Sequence, residues 1–114
     1  MELVEKIVKA LAAGAASRLR PNVVGLENTI VIDQYQTLKE LIGRKYAQVD
    51  ENILDIGPAS AERQQQLMDQ LQATGIGEDE EVLQQVEVLL SAIMEHDPEA
   101  IWASTPSTAV SDHD

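Results

Sequence analysis

The sequence contains no cysteine and no phenylalanine, and its aromatic residues are limited to Tyr35, Tyr46 and Trp102. Without cysteine the chain has no disulfide, no thiolate metal ligand and no cysteine nucleophile. The same absence fits a reducing compartment, so we expect a cytoplasmic protein. Because aromatic side chains are so few, Leu, Ile, Val and Ala have to fill the interior.

Basic residues are missing from the second part of the chain. The first 63 residues hold all eight Lys and Arg beside nine acidic residues, whereas the remainder holds eleven acidic residues and no Lys or Arg, which accounts for the net charge of −12. Nucleic-acid affinity comes largely from Lys and Arg, so we predict no nucleic-acid partner. No window approaches the ~20 apolar residues of a membrane span, and charged residues interrupt the apolar N-terminus, which argues against a signal peptide.

The length of 114 residues fits one domain, and an apolar content of 44 % is enough for a hydrophobic core. Apolar residues recur at spacings of three and four, which is the pattern of amphipathic helices. We therefore predict an all-α fold, a bundle of four main helices plus one short helical turn. The helices fall at about residues 2–19, 26–46, 60–74 and 78–96, and the short turn at 50–56.

Three local features bear on these helices. Residues 29–33 are rich in β-branched side chains and favour an extended strand locally, but the strongly helical sequence after them makes us expect a helix. Gly43 would weaken that helix, so we expect another helix to cross closely there. Gly75 is expected to end the third main helix, with Ile76 folding back onto the core.

The last main helix has the clearest apolar pattern. One stripe is widened by a second set of apolar side chains, so we predict a central helix that is buried on two sides. The stripe consists of Val82, Val86, Leu89 and Ile93, and the second set of Leu83, Leu90 and Met94.

After Ala100 the composition shifts to Ser, Thr, Pro and Asp. We therefore expect a bundle domain at 1–100 and a flexible, disordered acidic tail at 101–114. Trp102 is oddly placed just after the last helix. It can either pack back on the bundle or serve as a docking point for a partner.

No motif for catalysis or metal binding is found. The acidic run at 78–81 lacks the alternating oxygen ligands of a calcium loop and suits the positive end of a helix dipole. His96 and His113 do not form a metal-binding pair by spacing. There is no GxxxxGK, GxSxG or HExxH sequence. We therefore expect no enzymatic activity, no metal and no cofactor.

Two strings give the chain a family resemblance: YQTLKELIGRKY at 35–46 and the helix start with Pro58, Ser60 and Arg63. The sequence resembles a group of short helical proteins from bacteria, including cyanobacteria and actinobacteria. The resemblance lies in the order of the motifs and covers roughly residues 1 to 100. The resemblance implies a non-enzymatic adaptor or effector-associated module in a bacterial signalling or defence system, and it carries over no catalytic residue.

The function predicted from these observations is a protein-interaction module, with self-association into a homo-oligomer as its simplest form. The expected contact surface is apolar and consists of Ala12 and Ala16 in the first helix, Ile30 and Val31 in the second, and Trp102. Two alternatives remain: an acidic regulatory or inhibitor protein that mimics nucleic acid, and a helical bundle that binds a small ligand in a pocket.

Overall fold

The computed structural model describes residues 2–19, 27–55 and 57–105. Within them the chain forms five α-helices and one 3-10 turn and contains no strand, so the predicted all-α class with four main helices is confirmed. The helices are α1 (Glu2–Leu19), α2 (Glu27–Lys45), α3 (Ala61–Gln72), α4 (Glu80–His96) and α5 (Glu99–Ala103), and the 3-10 turn is Ile76–Glu78.

The short helix predicted at 50–56 is a series of hydrogen-bonded turns over 50–55. Asp50 caps them, because its Oδ1 accepts a hydrogen bond from the backbone N–H of Asn52 at 3.2 Å. Ile53 and Leu54 are buried. Ile56, which we expected to turn inward, lies outside the described residues.

The central helix is α1 rather than the predicted α4. It contacts α2, α3, α4 and α5, and its middle is buried on every side. A helix that is apolar all round is stable in water only when neighbours cover all its faces. Small side chains make this arrangement compact, because four helices can approach one axis only if little volume projects from it. The buried small residues are Ala10, Ala12, Ala13, Ala15, Ala16 and Ser17.

Helices α1 and α2 approach each other closely at Gly14. A Cβ atom added there would lie 2.6 Å from Cδ1 of Tyr35, whose side chain is fully buried. Gly43 does not mark a helix crossing, contrary to our expectation. The nearest atoms to a Cβ at Gly43 belong to the Glu51 carboxylate, with Oε2 at 2.8 Å, so its neighbour is a side chain of the connection after α2.

Residues 29–33 are helical, as expected. The helical period places Val31, Tyr35, Leu38 and Ile42 on one stripe, and all four are fully buried. Burial of this stripe against α1 and α4 outweighs the local preference of β-branched residues for strands, because helices in proteins owe most of their stability to packing.

Side-chain caps and one glycine define several helix ends. Ser60 caps α3 by accepting a hydrogen bond from the N–H of Arg63 at 3.2 Å. Asp79 caps α4 by accepting from Glu81 and Val82 at 3.1 and 3.3 Å. Gly75 follows α3 with a φ of 79°, in the left-handed region that favours glycine, and Ile76 is fully buried. The ends at Ser60 and Gly75 agree with the sequence-based expectations, whereas Asp79 was expected within the first turn of the last helix and is its cap instead.

Helix α4 buries one side only, so the prediction of two buried sides is wrong. The stripe of Val82, Val86, Leu89 and Ile93 is fully buried, and Leu83 and Leu90 are half-buried. Met94, which we expected inside, is exposed. The outer side faces solvent because α4 packs mainly on α1 and α2.

The folded part extends past residue 100, where we placed the start of the tail. Helix α5 packs on α1, Ile101 is half-buried and Ser104 is buried. Gln64 Nε2 donates to the Ser104 carbonyl at 2.8 Å, and Ser17 Oγ donates to Asp97 Oδ2 at 2.8 Å. These bonds hold the chain on both sides of α5. The rest of the predicted tail, 106–114, lies outside the described residues.

Gly14→Ala is expected to lower the free energy of unfolding by about 1 to 3 kcal/mol, because the added methyl overlaps the buried Tyr35 ring. Gly43→Ala is the matched control. It should raise stability by up to about 1 kcal/mol through helix propensity, because the flexible Glu51 side chain can move away. Urea melts of both variants measure the difference. Equal effects would show that the contact between Gly14 and Tyr35 does not limit the packing of α1.

Leu89→Ala is expected to cost about 2 to 5 kcal/mol, because it leaves a cavity in the stripe of α4 that faces the core. Met94→Ala on the exposed side of the same helix should change stability by less than about 0.5 kcal/mol. Thermal and urea denaturation followed by circular dichroism measure both. A Leu89 variant as stable as the wild type would contradict the assigned core.

Candidate functional site

Helices α2 and α4 run antiparallel and form one outer face of the bundle. Lys45 at the end of α2 contacts Asp79 before α4, with Nζ 2.9 Å from Oδ2. Further along, Gln85 Nε2 donates to Gln34 Oε1 at 2.7 Å. This pairing leaves a groove along the outer side of the two helices, which we call the α2–α4 groove.

The α2–α4 groove consists of two depressions, of about 360 and 310 Å³, that share Val88. Ile30 lines the first depression and Arg44 the second. Ile30 is 45 % exposed and Val88 46 % exposed, although both are large apolar residues on well-formed helices. Four glutamates also line the groove: Glu40, Glu81, Glu87 and Glu95.

Trp102 lies on α5 and is 79 % exposed, the highest value among the large hydrophobic side chains that are exposed. Its helix is held in place, because Ala100 is fully buried and α5 packs on α1. Of the two alternatives left open by the sequence, packing back on the bundle is therefore wrong in this structure. Trp102 presents an indole ring to solvent from a fixed position.

The predicted contact residues divide into two groups. Ala12, Ala16 and Val31 are buried inside the bundle, so they offer no surface to a partner, and the expected patch on α1 does not exist. The reason is that the middle of α1 is covered on all sides by the other helices. Ile30 and Trp102 are exposed, but they lie on different helices, α2 and α5.

Val88 and the glutamates around it were not among the residues predicted from the sequence. One sequence feature could have indicated Val88. It lies outside the apolar stripe of α4, so its side chain would be expected to face away from the core. That signal is weak, because single exposed apolar residues are common on protein surfaces. Only the antiparallel pairing of α2 with α4 brings Val88 and Ile30 to the same groove.

A mostly buried polar cluster ties α2 to the connection that follows it. Lys39 Nζ lies 2.8 Å from Asp55 Oδ2 and 5.1 Å from the centre of the Tyr35 ring, and the Tyr35 hydroxyl donates to Asp55. Burial and the bond to Asp55 raise the pKa of Tyr35 far above its usual value. Burial also raises the pKa of Asp55, but the hydrogen bonds from Lys39 and Tyr35 outweigh this and lower it. The three groups satisfy one another, which is typical of a structural cluster.

A second polar cluster surrounds the cap of α4. Partial burial raises the pKa of Asp79, but hydrogen bonds from Lys45, Tyr46 and the Val82 backbone outweigh it and lower the pKa to about 2. The Tyr46 hydroxyl donates to Asp79 Oδ2 at 2.7 Å. Asp79 therefore stays ionised and joins the end of α2 to the start of α4.

Among residues 2–19, 27–55 and 57–105, no three His, Asp or Glu side chains are grouped so as to hold a metal ion. The same ranges contain no helix that is both long and apolar enough to span a lipid bilayer. What they do offer is large apolar side chains that remain exposed on the outer surface, Ile30, Val88 and Trp102 among them.

These features define an all-helical domain with an open, acidic groove and an exposed tryptophan. The chain belongs to the Het-E N-terminal domain family, which it matches over residues 1–111. No curated protein and no solved structure matches it.

The Asp79 pairing predicts a pH-dependent contribution to stability. A carboxyl whose pKa is lowered on folding stabilises the fold above its unfolded pKa of about 4 and loses this effect as the pH falls toward about 2. Asp79→Asn keeps a side chain able to cap α4 but removes the charge. The wild type should therefore be more stable than the variant at pH 6, and the difference should shrink between about pH 4 and pH 2.

Urea melts across this pH range measure the difference. Asp33→Asn on the exposed side of α2 controls for the loss of one negative charge. A difference between wild type and Asp79→Asn that is independent of pH would contradict the ion pairing.

Proposed function

We propose that this domain is a non-enzymatic protein-interaction module that binds its partner through apolar side chains on its outer surface. The observation that carries the proposal is Trp102, which is 79 % exposed on a helix that packs firmly on the bundle. Tryptophan is among the residues most enriched at the energetic centres of protein interfaces. A fixed position reduces the entropy lost on binding.

The α2–α4 groove supports the same proposal. Ile30 and Val88 remain exposed there. Neither side chain is needed to fill the core, so both are available for contact with a partner. The groove is open to solvent, whereas pockets for small ligands usually enclose most of the ligand surface. A surface contact with a protein therefore fits the geometry better than a small-ligand pocket.

The acidic mimic of nucleic acid finds less support. Such a mimic needs a regular row of carboxylates free to bind a basic partner, as phosphates are. Lys6 pairs with Glu87, Lys39 with Asp55, and Lys45 with Asp79 and Glu81. Asp55 and Asp79 are only 20 % and 11 % exposed in these pairs, so part of the acidic set serves contacts within the fold rather than a surface for a basic partner.

The setting of the module is also part of the proposal. The family is described as an N-terminal domain. A domain with that description is expected to work together with other domains. We infer a signalling or effector-associated role in a bacterial cell, where the domain acts as an adaptor. The absence of cysteine fits a reducing cytoplasm.

Trp102→Ser is expected to abolish capture of the partner while leaving the melting temperature nearly unchanged, because the indole ring makes little contact with the bundle. Met94→Ser is the matched control, since Met94 is also a large exposed apolar side chain. The experiment compares proteins retained from a lysate of the source cells by immobilised wild type and both variants. A partner that needs Trp102 but not Met94 supports the proposal.

Sedimentation equilibrium of the same proteins decides whether the partner is a second copy of this chain. A dimer of the wild type that dissociates in Trp102→Ser would identify self-association. If the wild type is monomeric at high concentration and retains no specific protein, the interaction proposal is wrong. If the wild type and Trp102→Ser retain the same partner, Trp102 is not part of the contact surface.

A further inference from the structure

The α2–α4 groove has the length of a short helix. From Ile30 to Arg44 the chain of α2 rises by about 21 Å, at about 1.5 Å per residue. Val88 of α4 lies between the two depressions and is shared by them. The two depressions together therefore extend over about four helical turns, with apolar side chains at Ile30 and, where they adjoin, at Val88.

Acidic side chains outnumber basic ones around the groove. Glu40, Glu81, Glu87 and Glu95 line it, and Arg44 is the one Lys or Arg among its lining residues. Lys45 and Lys6 reach Glu81 and Glu87 from outside the lining, but these two glutamate side chains remain 64 % and 59 % exposed. The groove thus keeps a net negative potential that a cationic partner would neutralise.

Resting on the function proposed above, we propose that the α2–α4 groove binds a basic amphipathic α-helix of a partner protein. Apolar side chains at i, i+3 or i+4, and i+7 of that helix cover Ile30 and Val88, and its flanking Lys and Arg reach the glutamates. Laying a third helix into the groove between two others is a recurrent mode of peptide recognition. The described part of the chain has no sheet edge to which a peptide could add as a strand.

Charge also favours a basic helix over three other possible binding partners, namely nucleic acid, an anionic lipid surface and a second copy of this chain. Nucleic acid and anionic lipid surfaces would be repelled by the four glutamates. A second copy fits poorly, because the exposed sides of α2 and α4 carry the same acidic residues, and α1, which carries Lys6 and Lys9, is buried on most sides by the bundle. The groove therefore favours a basic helix from a different chain.

A synthetic peptide tests the proposal directly. The probe is a capped 14-residue peptide of Leu and Lys, with Leu at every third or fourth position to form one apolar stripe. One control peptide has the same composition with Leu scattered around the helix, and a second has Glu in place of Lys. Backbone amide shifts in NMR locate the binding site, and calorimetry gives the Kd.

We expect the basic amphipathic peptide to shift amides along the α2–α4 groove, including those of Ile30 and Val88. Val88→Asn should weaken binding about tenfold, as loss of an apolar contact at the centre of an interface does. Met94→Asn, on the same helix but outside the groove lining, should leave the Kd unchanged. Glu87→Gln with Glu95→Gln should weaken binding about fivefold and reduce its salt dependence.

Three results would overturn the proposal: amide shifts that centre on α5, equal binding of the scattered peptide, and a Kd that Val88→Asn leaves unchanged. Circular dichroism of each variant confirms that it is folded. If the peptide fails but a partner is still captured through Trp102, the basic-helix inference is wrong and the proposed function stands. If both fail, both are wrong. If the peptide binds the groove but Trp102 proves dispensable, the groove alone is the interaction surface.

Discussion

The architecture depends on one constraint, the enclosure of α1 by the other four helices. Four helices can share one neighbour only if that neighbour has little side-chain volume, which is why Ala and Gly dominate the middle of α1. Gly14 has no room for a side chain, because the fully buried ring of Tyr35 occupies the place where a Cβ would be. The same ring donates a hydrogen bond to Asp55 and lies under Lys39, so it also secures the connection after α2.

This enclosure leaves outward surfaces on the remaining helices. Because α1 occupies the centre, α2 and α4 pack with one side toward it and with the other toward solvent. Ile30 and Val88 remain on that outer side, and Trp102 projects from the short α5. The exposed apolar side chains are therefore on the periphery, and the candidate interaction surface lies there rather than on the alanine-rich helix.

The uneven distribution of charge along the sequence is partly used within the fold. Lys6 and Lys45, from the basic first part, pair with Glu87, Asp79 and Glu81 of the acidic second part. These contacts join α1 and α2 to α4. They do not neutralise the outer side of α4, where glutamates outnumber basic residues, and this excess gives the α2–α4 groove its preference for a cationic partner.

Local signals in the sequence determined the helices and several of their ends. The spacing of apolar residues, the cap Ser60 and the stop at Gly75 act over a few residues, so they could be read directly. The tertiary structure decided which faces are covered. Ala12, Ala16 and Val31 are buried and Trp102 is exposed because burial depends on which helices pack together, and those contacts join residues far apart in the chain. For the same reason Val88 and Ile30 meet in one groove only after α2 and α4 pair.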